Sequence, residues 1–452
     1  MSEQDDVVQR LDGEDGTFLT EDDVLEVEEL EIDNDGMDVE SDDGGDEEDG
    51  EGRDGADDLL DNGYDDSKAS FLGHDGGSAA IFAVALHPLN PLLAVSGGED
   101  DLAHLWRTDT GAEICALSGH TDSVTSVGFS FDGEMLATGG MDGRVRVWRR
   151  VKGSEGFLSW EFLTNLEGPD EVNWLDWHPK GNLLLAGGAD GTVWLWSLPT
   201  GNTLHVLSGH IDSVTCGRFT PDGLFSLFIE GYISNAVLAK SGKKIVTCSA
   251  DSVLILWDPR TGEAVHKLLP ADARFRLDGG INAVAINTAG TVAICGGAQG
   301  GLRAVNLVQG TVLAQMAGHE DGSSIEAVAF SEVPVSGAAS VTVLVSVGTD
   351  GRVCTWEANN FKLRSTGLHE DAVTSIAFAP GTTHFVTASA DKTLKVWDYR
   401  RGSCEQTLLG HRDVIHSCAI SRDGKLIVSG GDDCAKVFLT GEQAERAEPM
   451  QS

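Results

Sequence analysis

Leu136–Trp148 reads LATGGMDGRVRVW and Val246–Trp257 reads VTCSADSVLILW. Each is an apolar run that ends in small residues, then an acid, then a tryptophan six positions after the acid. The same arrangement recurs in LAVSGGEDDLAHLW (Leu93–Trp106), LLLAGGADGTVWLW (Leu183–Trp196), VSVGTDGRVCTW (Val345–Trp356) and VTASADKTLKVW (Val386–Trp397). Two worn copies place Val305 and Phe438 where the others have tryptophan. Successive copies lie 42, 48, 61, 48, 51, 41 and 41 residues apart.

A repeat of roughly 40–45 residues with Gly-His and Trp signatures predicts a WD40 β-propeller. The expected fold is all-β and eight-bladed, each blade a four-stranded antiparallel sheet set radially around a channel. Repeats begin near Gly73, Gly119, Gly168, Gly209, Gly279, Gly318, Gly367 and Gly410. Gly-His is intact at His74, His120, His210, His319 and His411, and His369 follows Leu368. The third repeat has Gly168-Pro169. The fifth has neither histidine nor tryptophan and puts Gln299 in the acid's place, yet it keeps the strand and turn rhythm. The propeller should span 67–440, with 67–72 completing the last blade so that no strand edge is left open. Residues 441–452 read as a flexible end. One segment breaks the pattern. Leu224–Gly242, LFSLFIEGYISNAVLAKSG, interrupts the fourth repeat, and without it the 61-residue step becomes 42. It reads either as a partner-binding loop or as a gene-model artefact.

Charge is extreme and uneven. The 452 residues carry a formal net charge of −42, and residues 1–66 hold 30 of the 73 acids against Arg10 and Arg53. Such a leader buries too little apolar surface to offset its chain entropy, so a disordered acidic tail is expected over 1–66. Phosphate repels an acidic protein, which makes nucleic acid an unfavourable direct partner and a basic protein segment the natural one. The eight cysteines form no CxxC pair and fall mostly in expected strands, so neither disulfides nor a bound metal are expected. No apolar run reaches the ~18–20 residues needed to span a bilayer. A cytoplasmic monomer is expected.

Acid, histidine, hydroxyl and indole at these spacings imitate a catalytic set. A set recurring in most repeats is scaffold, because an active site occurs once. The acids are Asp100, Asp142, Asp190, Asp251, Asp350, Asp391 and either Asp432 or Asp433. In the second repeat the buried network is expected to join His120, Thr138, Asp142 and Trp148, and in the fourth His210, Thr247, Asp251 and Trp257. Such groups need partners once buried. There is no P-loop, GxGxxG, HExxH or GxSxG, and no catalytic residue or cofactor is expected. Binding should fall on the face where each innermost strand begins. Its acids are Glu99, Asp122, Asp170, Glu171, Asp212, Glu320, Asp321, Glu326, Glu370, Asp371 and Asp413, with Arg412 the clear basic exception. Some of them, Asp122 for instance, also suit a turn-capping role. Summed around a mouth, such charges would steer a cationic segment. Phe82, Met141 and Trp174 are the apolar or cation–π candidates nearby, Trp174 with the reservation that alternation turns it inward.

Leu93–Trp106, DWHPKGNLLLAGGADGTVWLWSLPTG (Asp176–Gly201), TCGRFTPDG (Thr215–Gly223), GGDDCAKVF (Gly430–Phe438) and the acidic leader with VLEVEELEID resemble the angio-associated migratory cell protein family. The resemblance spans nearly the whole chain apart from Leu224–Gly242. It implies a cytoplasmic propeller. It also implies kinship with a fungal chaperone that grips the basic N-terminal segment of one nascent large-subunit ribosomal protein on an acidic face for 60S assembly. Animal members are linked to cell migration and signalling, so a signalling scaffold is the alternative. Trp257-Asp258-Pro259-Arg260 and Trp397-Asp398-Tyr399-Arg400 fit a WDxR motif that would suit a cullin ubiquitin-ligase substrate receptor, a third reading.

Overall fold

The computed structural model describes residues 65–151, 153, 158–221, 243–333, 340–379 and 381–440. They form eight four-stranded antiparallel sheets, and no helix among them is long and apolar enough to cross a membrane. The first strands of successive sheets, from Ile81–Leu86 through Val124–Phe129 to Ile415–Ile420, neighbour one another in order. Ile81–Leu86 also neighbours Ile415–Ile420, so the eight sheets close a ring.

Closure uses the N-terminal side of the ring. The strand Ala69–Phe71 is the outer strand of the last sheet and pairs Ala69 with Val437 and Phe71 with Ala435. Asp65 reinforces the junction with a 2.6 Å ion pair to the Lys436 ammonium. The acidic leader up to residue 64, the segment 224–242 and the end from 441 lie outside the described residues. The flanks of 224–242 do belong to the fold. Phe219 pairs with Ile245, and Thr220 N–H donates to the Lys244 carbonyl at 3.0 Å. Ser130 N–H makes the matching bond to Met135 at 2.9 Å in blade two, where the loop is short.

The core lies between sheets. Alternate residues of each strand face a neighbouring blade, and burial of their apolar surface is the main stabilising term. Small residues ending each second strand make room for the next blade. A Cβ on Gly97 would stand 2.7 Å from Val124, and one on Gly430 would stand 2.6 Å from Ile81 across the closing seam. Blade five is packed differently. Leu277 takes the histidine position and Val305 the tryptophan position. Phe275, Leu277, Cys295 and Val305 are buried in one cluster with Val246 and Leu254 of blade four.

Candidate partner-binding face

In four of the eight blades the acid, imidazole, hydroxyl and indole form one chain. In blade four His210 bonds Asp251 at 3.2 Å and Thr247 Oγ1 at 2.8 Å, and Trp257 Nε1 donates to Thr247 at 2.9 Å. Blades one, six and seven repeat it through Ser96, Ser346 and Thr387. In blade eight His411 bonds Asp433 at 2.6 Å, so Asp433 is the network acid. Burial lowers the pKa of His120, His210 and His319, with their aspartates offsetting part of that. Burial raises the Asp391 carboxyl, but hydrogen bonds from His369, Thr393 and the Glu370 N–H outweigh it and hold it far below the usual carboxylate range.

Blades two and three keep the tryptophan but leave the chain unfinished. In blade two His120 bonds Asp142 and Thr138, but the buried Trp148 Nε1 has no partner. Trp148 therefore stands outside the expected network. Its ring packs edge-on against Phe162 instead, with Arg146 over both rings. In blade three Ala186 stands where the hydroxyl would be, and Trp196 Nε1 is buried without a partner.

The same bonds define a face. The network acid also accepts from the first backbone N–H of the incoming loop, as at Thr121, Ile211, Glu320, Glu370 and Arg412. The residue before that acid is tied by its N–H to the start of the same blade's innermost strand. The pairs are Glu99 to Ala80, Met141 to Ser123, Ala189 to Glu171, Ala250 to Ser213, Ala298 to Gly280, Thr349 to Ser324, Ala390 to Ala372 and Asp432 to Val414. Loop and turn thus lie on one side of the ring in all eight blades.

All eleven acids proposed from the sequence are exposed. They are not equivalent. Asp122, Asp212, Asp371 and Asp413 each fold back to accept the next residue's N–H, at 2.8, 2.7, 2.6 and 2.9 Å, which is a turn-capping role. Glu320 is paired with Arg352 at 2.6 Å. Glu99 accepts weakly from Ala80 N–H at 3.4 Å. Asp170, Glu171, Asp321, Glu326 and Glu370 have no side-chain partner among the described residues.

Every innermost strand carries a β-bulge one residue after its first buried position. A bulge re-aims a side chain. In five blades that side chain is used up as a stitch to the next blade. Thr125 donates to the Val172 carbonyl, Asn173 to Ser213 Oγ at 2.8 Å, Thr215 to Ile281, Asn282 to Ser324 Oγ at 2.7 Å and Thr374 to Ile415 at 2.6 Å. Blades six, eight and one have Glu326, His416 and Phe82 instead. Glu326 bonds nothing described. His416 bonds Asp432 at 2.7 Å, and its ring lies 5.9 Å from the half-buried Phe82. The bulge positions left untied therefore gather on the arc from blade six through eight to one, where Glu326, Asp432 and Glu99 supply acid beside the Phe82–His416 pair.

Two sequence expectations are corrected. Trp174 is not a surface aromatic. The bulge between Val172 and Trp174 sends Asn173 to the face, and Trp174 lies between blades three and four, its Nε1 donating to the Val214 carbonyl at 3.0 Å. A Cβ on Gly187 would stand 2.4 Å from that indole. Met141 is exposed and remains a candidate. Arg412 is also not the single basic exception. Arg144 and Lys392 occupy turns next to network acids, and blade five adds Arg276 and Arg303, with Asp278 holding Arg276 at 2.8 Å. These two arginines and Asp321 line an open depression of about 410 Å³. Sequence reading also missed His416, whose signal was the residue type at the bulge, legible only once the register is known. It left Asp432 as an alternative to Asp433 for the network acid, and the structure puts it in the turn before that acid.

The WD domain, G-beta repeat model matches residues 66–107, 111–149, 160–197, 201–258, 361–398 and 402–438. Angio-associated migratory cell protein from Canis lupus familiaris is 32% identical over 383 residues, which is 83% of this chain and 80% of that protein. The chain belongs to the angio-associated migratory cell protein family of WD-repeat propellers. The ribosome assembly protein SQT1 of Saccharomyces cerevisiae is 26% identical over 334 residues, 70% of this chain and 72% of that one. A crystal structure of Chaetomium thermophilum Sqt1 bound to the N-terminus of ribosomal protein L10 superposes with a TM-score of 0.71 at 27% identity, covering 83% of this chain and 100% of that chain. None of the matched segments covers blade five or the first three strands of blade six.

Proposed function

We propose that this family member is a non-enzymatic, monomeric, cytoplasmic chaperone. It captures the basic segment of a nascent large-subunit ribosomal protein on its acidic face and holds it for 60S assembly. The observation that carries this reading is the arc of Glu326, Asp432 and Glu99 around Phe82 and His416, unstitched at three bulges where five others are tied down. The Sqt1 complex with the L10 N-terminus supports the choice of client, because that relative shares the fold along most of this chain.

Carboxylates on such an arc stand in for rRNA phosphates. They pair with Lys and Arg ahead of assembly, and the aromatic pair offers a cation–π surface. The contact is electrostatic and solvent-exposed, so salt weakens it. The test is affinity capture of newly synthesised proteins on the full chain. Large-subunit ribosomal proteins should be recovered, and depletion of the chaperone should reduce free 60S subunits. Recovery of folded signalling proteins without basic tails, together with normal ribosome profiles, would favour the scaffold reading instead. Arg260 and Arg400 of the WDxR motifs are exposed, and their double replacement by Ala leaves client capture intact on this account.

A further inference from the structure

Two positions before the tryptophan site, four blades carry a long cation: Arg146, Arg303, Lys395 and Lys436. Each reaches outward, to the Gly119 carbonyl at 3.2 Å, the Arg276 carbonyl at 2.7 Å, the Leu368 carbonyl at 2.9 Å and the Asp65 carboxylate at 2.6 Å. Blade one has His104 there, and an imidazole is too short for such a reach. Its ring instead lies buried, 4.4 Å from the ring of His74 and 5.5 Å from that of Phe71.

In the neutral tautomer whose Nδ1–H donates to Glu113 Oε1 at 3.2 Å, the lone pair of His104 is on Nε2. That lone pair faces Asp100 Oδ2 at 3.5 Å. Both atoms are buried, and neither has a hydrogen-bond partner. Two acceptors turned toward each other in a dry site repel, so a positive charge belongs between them. The separation is long for a charge-assisted N–H···O bond, which runs about 2.7–2.9 Å. It is the edge length of a coordination tetrahedron whose metal–N and metal–O bonds are about 2.0–2.2 Å. His74 Nδ1 completes a set of three donor atoms that all lie within 4.8 Å of one another. Behind the two imidazoles stand Glu113 and Ser96, the kind of second partner that orients a ligating histidine.

We propose that His74, Asp100 and His104 form a buried divalent-metal site, with zinc the cation its nitrogen and carboxylate donors suit and water in the fourth position. On binding, the His74 proton moves from Nδ1 to Nε2, Ser96 turns from donor to acceptor, and Asp100 Oδ1 keeps the Leu102 N–H. His74 follows the ring-closing strand by three residues, so the ion ties that strand's exit to blade one, beside Glu99 on the binding arc.

The test uses the full chain, stripped with a chelator and titrated with zinc. Native mass spectrometry should show one retained equivalent, the melting temperature should rise with zinc, and cobalt(II) should give the visible bands of tetrahedral coordination. His104→Arg places the residue of blades two and five beside Asp100. It keeps a cation there and should fold, yet it should lose the equivalent and the zinc-dependent shift. Glu113→Gln should weaken zinc binding about 10–100-fold without removing a ligand. His384→Ala, in the separate group with Asp398 and Glu405, should change neither. A wild-type chain that folds but retains no zinc, or a His104→Arg chain that retains as much as wild type, overturns the proposal. The charge between Asp100 and His104 would then be a proton.

Discussion

In blades one, four, six and seven a single hydroxyl satisfies the buried indole. Thr247 serves both His210 and Trp257, so Thr247→Val strips two buried groups of their partner. We expect a loss of about 2–4 kcal/mol in chemical denaturation, since each orphaned group costs ~1–3 kcal/mol. Ala186→Ser runs the other way. It would place a hydroxyl where Trp196 Nε1 is buried and unpaired, and a gain of about 1 kcal/mol is expected. No gain would mean that the added oxygen crowds the packed site more than it satisfies the indole. The same residues mark what could be read from sequence. The Thr138–Asp142–His120 spacing is local and was legible. The failure of Trp148 to join was not, because it depends on Phe162 and Arg146 drawing the ring aside. Trp174 was misplaced for a comparable reason, since one bulged residue reverses which way every later side chain of the strand points.

Elements carry the pH response and the tolerance to insertion. Burial depresses the pKa of His120, His210 and His319, so below their unfolded value of about 6.5 the unfolded chain binds more protons than the folded one. Stability contributed by these histidines is full above that pH and is lost as pH falls. Asp391, held low by His369 and Thr393, extends the loss below about pH 4. Melting temperature should therefore decline from pH 7 toward pH 5, and further below pH 4. The experiment belongs at high salt, which screens the easing of like-charge repulsion that acid brings to so acidic a chain. A melting temperature that holds or rises from pH 7 to 5 contradicts the assignment. The strand pairing at Phe219–Ile245 predicts that deleting Leu224–Gly242 leaves blade four intact. The shortened chain should melt within a few degrees of the full one. Blade identity, repeat length and this interruption were all legible from the 41- to 61-residue steps, because the tryptophan and acid recur in sequence as they do in space.

At the scale of the whole ring, closure brings the bulges of blades six, eight and one onto a single arc. That convergence could not be read along the chain, where Phe82 and His416 are more than 300 residues apart. The eleven acids read from the sequence are all exposed. The sequence does not separate the acids that cap turns from those that do not, because both kinds follow the same Gly-His signal. The central claim is that recognition belongs to the acids of that arc rather than to the turn caps. Calorimetric titration of the full chain with a Lys/Arg-rich peptide from the N-terminus of an L10-type ribosomal protein, at low and at physiological salt, tests it most directly. Glu326→Lys and Asp432→Lys should each weaken binding at least about tenfold, a change of about 1.4 kcal/mol, while Asp122→Lys and Asp212→Lys stay within about threefold of wild type. Equal losses in both pairs, or no loss in the first, would contradict the account.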